Sequence, residues 1–292
     1  MELSGQEFDL LRRYIHSLCG ITIPDDKSYL IHQRLEPVVA AAGCKGFGEF
    51  YRKLKQSPLP KIEEQIINTI TTNETSFFRD EHPFAAFKEY ILPSLGKIIR
   101  ERKERDSSRK GPKVSIWSAG ASTGQEPYSL AILIHEYTAA NSLLGISMED
   151  FGLLATDVSS ETLSKAMAGE YNEMEIKRGL SPDLMAKYFT KDGTNWVVNS
   201  SIRAMVEFRQ INLIKPFTML GGHDVVLCRN VLIYFDDDAK VRMLDQFYDI
   251  LSDGGFLILG APENLYGVTE KFEPVHYGET LIYKKTQALV TS

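Results

Sequence analysis

From Val114 onward the chain alternates short apolar runs with helix-period stretches, and this alternation limits the possible folds more than any other feature. Residues 114–117 read as a strand, followed by a loop of small residues and a helix over about 126–137. A second strand at 152–156 leads into a helix at 160–167, and a third at 224–228 into a helix at 238–251 and a strand at 256–259. Strands that alternate with helices predict a parallel sheet covered on both faces, because each crossover helix must pack back onto the sheet. The end of the chain departs from this pattern: 271–276 and 279–284 flank Tyr277-Gly278 and read as an antiparallel hairpin. Short β-like runs at 196–198 and 205–208 suggest a small β insertion around 190–210.

The first 70 residues read as helical throughout. Ser4 and Glu7 form a capping box, in which each side chain satisfies an amide the helix leaves free. Phe8, Leu11, Ile15 and Leu18 follow at helical spacing, and Gly20 ends the helix. Further helices fit 26–42, 47–56 and 61–70, and short amphipathic helices with short loops suggest a compact bundle. Residues 71–80 lack a helical period. A helix from about Glu81 tolerates Pro83 in its first turn, whereas Pro93 should kink or end it. The segment 103–113 reads as an exposed loop. The resulting division is a helical domain over 1–71, a linker and connecting helix over 72–112, and an α/β domain over 113–285.

Composition removes several function classes. The 292 residues carry a net charge of −6, which gives general nucleic-acid binding no support. The run 97–113 holds eight Lys or Arg against three acids, and reads as a solvated helix end and loop or as a patch for an acidic partner. Cys19, Cys44 and Cys228 are odd in number with no CxxC pair, against a disulfide framework or a bound metal. No apolar run reaches the roughly 18 residues of a membrane span, and no signal-peptide pattern is visible. The reading is a cytoplasmic protein, with nothing that demands more than a monomer.

Four stretches carry chemistry. In 114–127 a strand runs into Gly120 and Gly124 among other tiny residues, and a helix then opens with Glu126-Pro127. Small side chains let a ligand approach the backbone, and a helix start offers free N–H groups. A tight turn that merely packs helix on sheet reads equally well, and GxGxxG is absent. Asp157 ends the second strand, where an acid in doubly wound folds accepts ribose hydroxyls; it lies 37 residues past Gly120, against about 20 in the dinucleotide motif. The alternative makes it a cap for the next helix. Arg229-Asn230 end the third strand, ahead of an apolar stretch with Tyr234; they point into a ligand crevice or form a solvated strand end. The fourth stretch, 73–79, reads from its residues alone as a polar linker with a buried Phe pair. His82, His135, His223 and His276 are isolated in sequence and read as surface or structural.

Together these stretches resemble the chemotaxis receptor methyltransferase family (CheR type) over nearly the whole chain. The matching segments are TTNETSFFRD (71–80), WSAGASTGQEPYSLAI (117–132), ATDVSSETLSKA (155–166), FRQINL (208–213) and CRNVLIYFD (228–236). The resemblance implies a Rossmann-like class I methyltransferase: a doubly wound, mostly parallel sheet with a small β insertion and an N-terminal all-α domain. It implies S-adenosylmethionine as cofactor and S-adenosylhomocysteine as product, with glutamate side chains on the cytoplasmic domain of bacterial chemoreceptors as methyl acceptors. By the same resemblance Asn73, Thr75 and Arg79 fold the linker over the cofactor, and Gly120 belongs to its loop. Glu126 and Asp157 are acidic contacts, Asp157 to the ribose. Asn212 and Leu213 flank the adenine, Arg229 and Asn230 complete the pocket, and Arg79 and Tyr234 face the acceptor. The helical domain and the β insertion are the family's receptor-binding surfaces.

A carboxylate acceptor is already ionised near neutral pH, with a reference pKa of about 4.3, so this reaction needs no general base. The competing readings are a methyltransferase of the same fold acting on another protein or a small acid, a non-catalytic adaptor, and a nicotinamide-dependent oxidoreductase. Arg79 and Tyr234 argue against the adaptor, and the missing GxGxxG argues against the oxidoreductase.

Overall fold

The structure, a computed structural model, describes residues 1–57, 59–106 and 111–286. Four helices form the N-terminal unit: α1 (Gly5–Cys19), α2 (Ser28–Ala41), α3 (Phe47–Gln56) and α4 (Pro60–Ile70). The Ser4–Glu7 capping box is present, and Gly20 ends α1 at φ 76°, a left-handed conformation open to glycine. Leu11, Ile15, Ile31, Leu35, Phe47 and Phe50 bury a separate core in this unit.

The helix after the linker does not end at Pro93, one of the two outcomes expected there. It runs as α5 (His82–Ala86), one π-helical stretch (Phe87–Ile91) and α6 (Leu92–Arg105), so it neither ends nor breaks at the proline. Pro93 lacks an N–H, and its ring crowds the carbonyl four residues back. The wide turn just before it puts the Leu92 N–H on the Phe87 carbonyl, and Pro93 becomes a first-turn residue of α6. The basic run is likewise not simply solvated. Arg102 donates to both oxygens of Asp224 (2.9 and 2.6 Å) and to the Lys113 carbonyl, and Lys103 pairs with Asp150 at 2.6 Å. Residues 107–110 of the expected loop lie outside the described residues.

The remaining elements are β1 (Val114–Ala119), α7 (Gln125–Ala140), β2 (Phe151–Asp157), α8 (Ser160–Ala168), β3 (Glu170–Asn172), α9 (Glu173–Lys177), α10 (Pro182–Tyr188), β4 (Phe189–Asp192), β5 (Asn195–Val198) and α11 (Ser200–Arg203). They continue through β6 (Val206–Gln210), β7 (His223–Cys228), α12 (Asp237–Ile250), β8 (Leu251–Leu259), β9 (Phe272–Tyr277) and β10 (Thr280–Lys285). The seven-stranded sheet has the order β6-β2-β1-β7-β8-β10-β9, parallel except for the final hairpin. The order reverses outward from β1, so the crevice beyond β1 and β7 is the topological switch point of a doubly wound sheet. One buried cluster, including Ile116, Tyr128 and Leu153, covers one face, and another, including Trp117, Phe217 and Phe247, covers the other.

The β insertion is displaced from its expected place. It is the antiparallel sheet β3-β5-β4, while 206–210, read as part of it, is β6 and pairs in parallel with β2 at the edge of the main sheet. Val206 is buried and Glu207 and Arg209 are exposed, an alternation that suits either sheet; only the distant partner decides.

Candidate functional site

β1 and β2 end side by side, and the turn after β1 is tied to β2 by the Gly120 and Ala121 N–H groups, both donating to the Thr156 carbonyl at 2.8 Å. Gly120 has φ 78°, and a Cβ there would lie 2.4 Å from Val231 Cγ2. Only glycine lets the β1 and β7 loops meet so closely. Ser122 follows at φ 50°, its N–H held by Asp157 Oδ2 at 2.8 Å. Asp157 Oδ1 accepts the Ser159 N–H at 3.0 Å. The cap of α8 is Ser159, whose hydroxyl accepts from Thr162, so the reading of Asp157 as that cap does not hold. Burial raises the Asp157 pKa, opposed by these N–H bonds. The Val158 N–H and the Thr162 hydroxyl also act on this carboxylate, and Asp157 lines a cleft above the strand tips.

The linker crosses the same cleft. Its Phe77 packs edge-on against Tyr171 and Phe189, and the Phe78 N–H donates to Ser129 Oγ at 3.0 Å. Phe78, Asp80 and Glu81 have φ of 49°, 68° and 47°, a cluster of left-handed non-glycine residues of the kind found at functional sites. Arg229 holds this segment to the sheet. Its guanidinium donates to Glu126 Oε2 (2.9 Å), to the Arg79 carbonyl (2.8 Å) and to Asp80 Oδ2 (2.9 Å), and lies over the Phe84 ring. Ser118 Oγ donates to the other Glu126 oxygen at 2.9 Å. Glu126 and Arg229 are thus a buried ion pair in the cleft wall, and not isolated charges awaiting a ligand.

Every residue that the resemblance assigns to the site lines this one cleft. Asn73, Thr75 and Arg79 come from the linker, Gly120 and Glu126 from the β1 loop and α7, and Asp157 from β2. Asn212 and Leu213 follow β6, and Arg229, Asn230 and Tyr234 follow β7. Asn212 is fixed by donating Nδ2 to the Leu18 carbonyl at 2.7 Å, and the Arg79 guanidinium donates to the Glu74 carbonyl at 2.9 Å. The sequence reading missed Cys19 and Ile21, which bring the N-terminal unit into the wall. Nothing local to α1 marks them; they meet the cleft because α1 docks on the strand tips. Thr22 N–H donates to the Tyr234 carbonyl at 2.8 Å, and His16 Nε2 meets Asp236 Oδ2 at 2.7 Å. Burial pushes the Cys19 thiol up to about 11, so it stays protonated and is no nucleophile at neutral pH. Beside Tyr234 and Thr72 lies a second cavity, lined by Lys27, Leu30, Arg34 and Ile70 of the helical unit.

The donor set suits a nucleoside with an amino-acid arm. Asp157 offers a carboxylate to a diol, and Ile211 and Leu213 offer apolar edges for a base. Asn230 Oδ1 is buried without a partner, an acceptor free for an ammonium group.

The family model described as CheR methyltransferase, SAM binding domain, matches residues 73–280, which include most of the cleft wall. The model for the all-alpha domain of the same methyltransferase matches residues 6–71. The chain is 37% identical over 285 residues to chemotaxis protein methyltransferase 1 of Pseudomonas aeruginosa, covering 97% of this chain and 99% of that one. It is 35% identical over 283 residues to chemotaxis protein methyltransferase 1 of Vibrio cholerae, covering 97% and 98%. To the chemotaxis protein methyltransferase of Escherichia coli it is 31% identical over 278 residues, covering 93% and 89%. With both family models matched in order, the chain belongs to the CheR methyltransferase family, whose cofactor is S-adenosylmethionine.

Proposed function

We propose that this chain is a protein-glutamate O-methyltransferase that esterifies glutamate side chains on the cytoplasmic domain of bacterial chemoreceptors, working in the cytoplasm as a monomer. When bound, S-adenosylmethionine supplies a sulfonium methyl for in-line displacement by a carboxylate oxygen, and S-adenosylhomocysteine leaves. The chain's own residues have three tasks. Asp157, Asn73, Thr75, Glu126, Asn212, Leu213 and the Arg229-Asn230 pair hold the cofactor, with Asp157 on the ribose. Arg79 and Tyr234 face the acceptor. Alignment of the reacting atoms at about 3–3.5 Å is the main catalytic work, since the acceptor arrives already ionised.

Charge is neutralised as the methyl transfers, so a strong clamp on the carboxylate would favour the ground state and slow the step. Arg79 suits the milder role of orienting the acceptor, because its guanidinium is already engaged by the Glu74 carbonyl. The observation that carries this reading is that the cofactor cleft shares Ile21, Thr72 and Tyr234 with a neighbouring cavity lined by Lys27 and Arg34. Basic residues of the helical domain thus stand beside the cleft, where an anionic side chain would approach. In this division 1–71 is the receptor-binding domain, 72–112 the linker and connecting helix, and 113–285 the methyltransferase domain.

The test uses isotopically labelled S-adenosylmethionine with a chemoreceptor cytoplasmic fragment and with small carboxylic acids. The account expects label on the receptor glutamates, released as methanol by mild alkali, and little on the acids. Label on small acids alone would favour the alternative substrate, and no transfer to anything would favour the adaptor.

A further inference from the structure

Glu263 is a buried carboxylate that the sequence reading passed over and that does not line the cofactor cleft. It follows β8, in the turn Gly260-Ala261-Pro262-Glu263. Each of its oxygens accepts two main-chain N–H groups. Oε2 accepts from Asn230 and Gly260, both at 2.7 Å, and Oε1 accepts from Val231 at 2.9 Å and Ile233 at 3.2 Å. Three of the four donors belong to the loop that leaves β7, and that loop carries Asn230, Val231 and Tyr234 into the cleft wall.

The loop needs such a support. Asn230 sits at φ 57°, an unfavourable conformation for a residue with a side chain, and its N–H groups turn away from any strand partner. Partly buried N–H groups without acceptors would each carry some desolvation cost. One carboxylate answers three such groups at once and thereby fixes the direction in which the loop leaves the strand. Gly260 completes the fit: a Cβ there would lie 2.7 Å from the Asn230 nitrogen and 2.8 Å from Glu263 Oε2.

We infer that Glu263 is a positioning residue for methyl transfer, setting Asn230 and Tyr234 against the cofactor through the 230–234 backbone without touching cofactor or acceptor. The inference rests on the reading of Tyr234 as facing the acceptor. Its chemistry does not extend to proton transfer, because every partner is an amide donor and the carboxylate serves as a fixed anion.

Glu263→Gln in the full chain tests it. The amide replaces one acceptor oxygen by an NH2 group, and whichever way it turns, two main-chain donors then face a donor. Hydrogen exchange and turnover are measured together, with turnover expressed per S-adenosylhomocysteine-binding site so that unfolded protein does not count. The expected result is faster amide exchange confined to the 230–234 loop and turnover on the receptor fragment reduced about a hundredfold. S-adenosylhomocysteine affinity should weaken by less than about tenfold, because Asp157 and the β1 loop remain in place. A purely structural role would lower the number of binding sites and leave turnover per site unchanged. Gly260→Ala pushes on the same loop with the carboxylate intact and should give the same pair of changes, which covers the case in which Glu263→Gln does not fold.

Unchanged exchange at 230–234 in a folded variant would overturn the inference. So would faster exchange with turnover per site within about threefold of the wild type. If the wild type methylates no receptor, the functional reading fails separately, and the exchange measurement alone decides what Glu263 holds.

Discussion

The two ends of the seven-stranded sheet are built differently, although the same strands supply both. At the N-terminal end the charges are matched against opposite charges: Arg102 takes Asp224 with both nitrogens, and Lys103 takes Asp150. At the C-terminal end one ion pair, Arg229 with Glu126 and Asp80, ties the linker down, but the acids Asp157 and Glu263 are matched against main-chain amides. Left-handed residues gather there too, at Gly120, Ser122 and Asn230. Ion pairs at the base leave little capacity for a ligand. Carboxylates held by amides support the strained backbone at the tips and bring its loops close together. The comparison locates stability at one end and ligand chemistry at the other, as expected for an open α/β sheet.

Substitutions can break that comparison. The largest stability effect should come from the base. Arg102→Ala leaves Asp224, which is 4% exposed, with the Ser115 N–H as its one remaining hydrogen bond among the described residues, and should cost about 4 kcal/mol in chemical denaturation while S-adenosylhomocysteine affinity stays the same. An equal loss of affinity would show that the two ends are coupled.

His223 gives a pH-dependent version of the same test. Its ring is 3% exposed, its Nδ1 meets Ser115 Oγ at 2.8 Å, and burial lowers its pKa from 6.5 to about 4. Between those values the unfolded chain binds a proton that the folded chain does not, so stability falls as pH drops through that window, by up to about 3 kcal/mol. His223→Gln should flatten the pH dependence of the denaturation midpoint over this range. An unchanged slope would assign the acid sensitivity to the carboxylates.

The smallest expected effect lies at the tips. Arg79→Ala should lower turnover about tenfold and leave cofactor affinity within about threefold, because its role is orientation. Near-normal turnover would remove that role. A large loss of affinity would make Arg79 a cofactor ligand first.

The contrast between the ends also explains what could be read from sequence. The doubly wound sheet was legible because 114–117, 152–156 and 224–228 are apolar strands that each run into a recognisable helix. The residues of the cleft were legible because five of its segments resemble a known family in order. The place of β6 was not, since its alternation fits two sheets and the choice between them rests on β2, fifty residues away. The helices α9 and α10 were missed despite local signals: Asn172 and Glu175 form a capping box, and Ser181-Pro182 is a cap followed by a first-turn proline. Glu263 was missed for a different reason. Its partners are main-chain amides some thirty residues earlier, and side-chain patterns carry no record of them.

The central claim, that the strand tips hold the cofactor with Asp157 as the ribose contact, is tested most directly by titrating S-adenosylhomocysteine calorimetrically into the wild type and Asp157→Ala. The account predicts binding in the micromolar range for the wild type and a loss of about a hundredfold or more in the variant, since two hydrogen bonds to a charged acceptor disappear. Some stability should be lost as well, because the buried Ser122 and Ser159 N–H groups lose their acceptor, so affinity is compared on the folded variant. Wild-type affinity in a folded Asp157→Ala would contradict the claim and place the cofactor elsewhere.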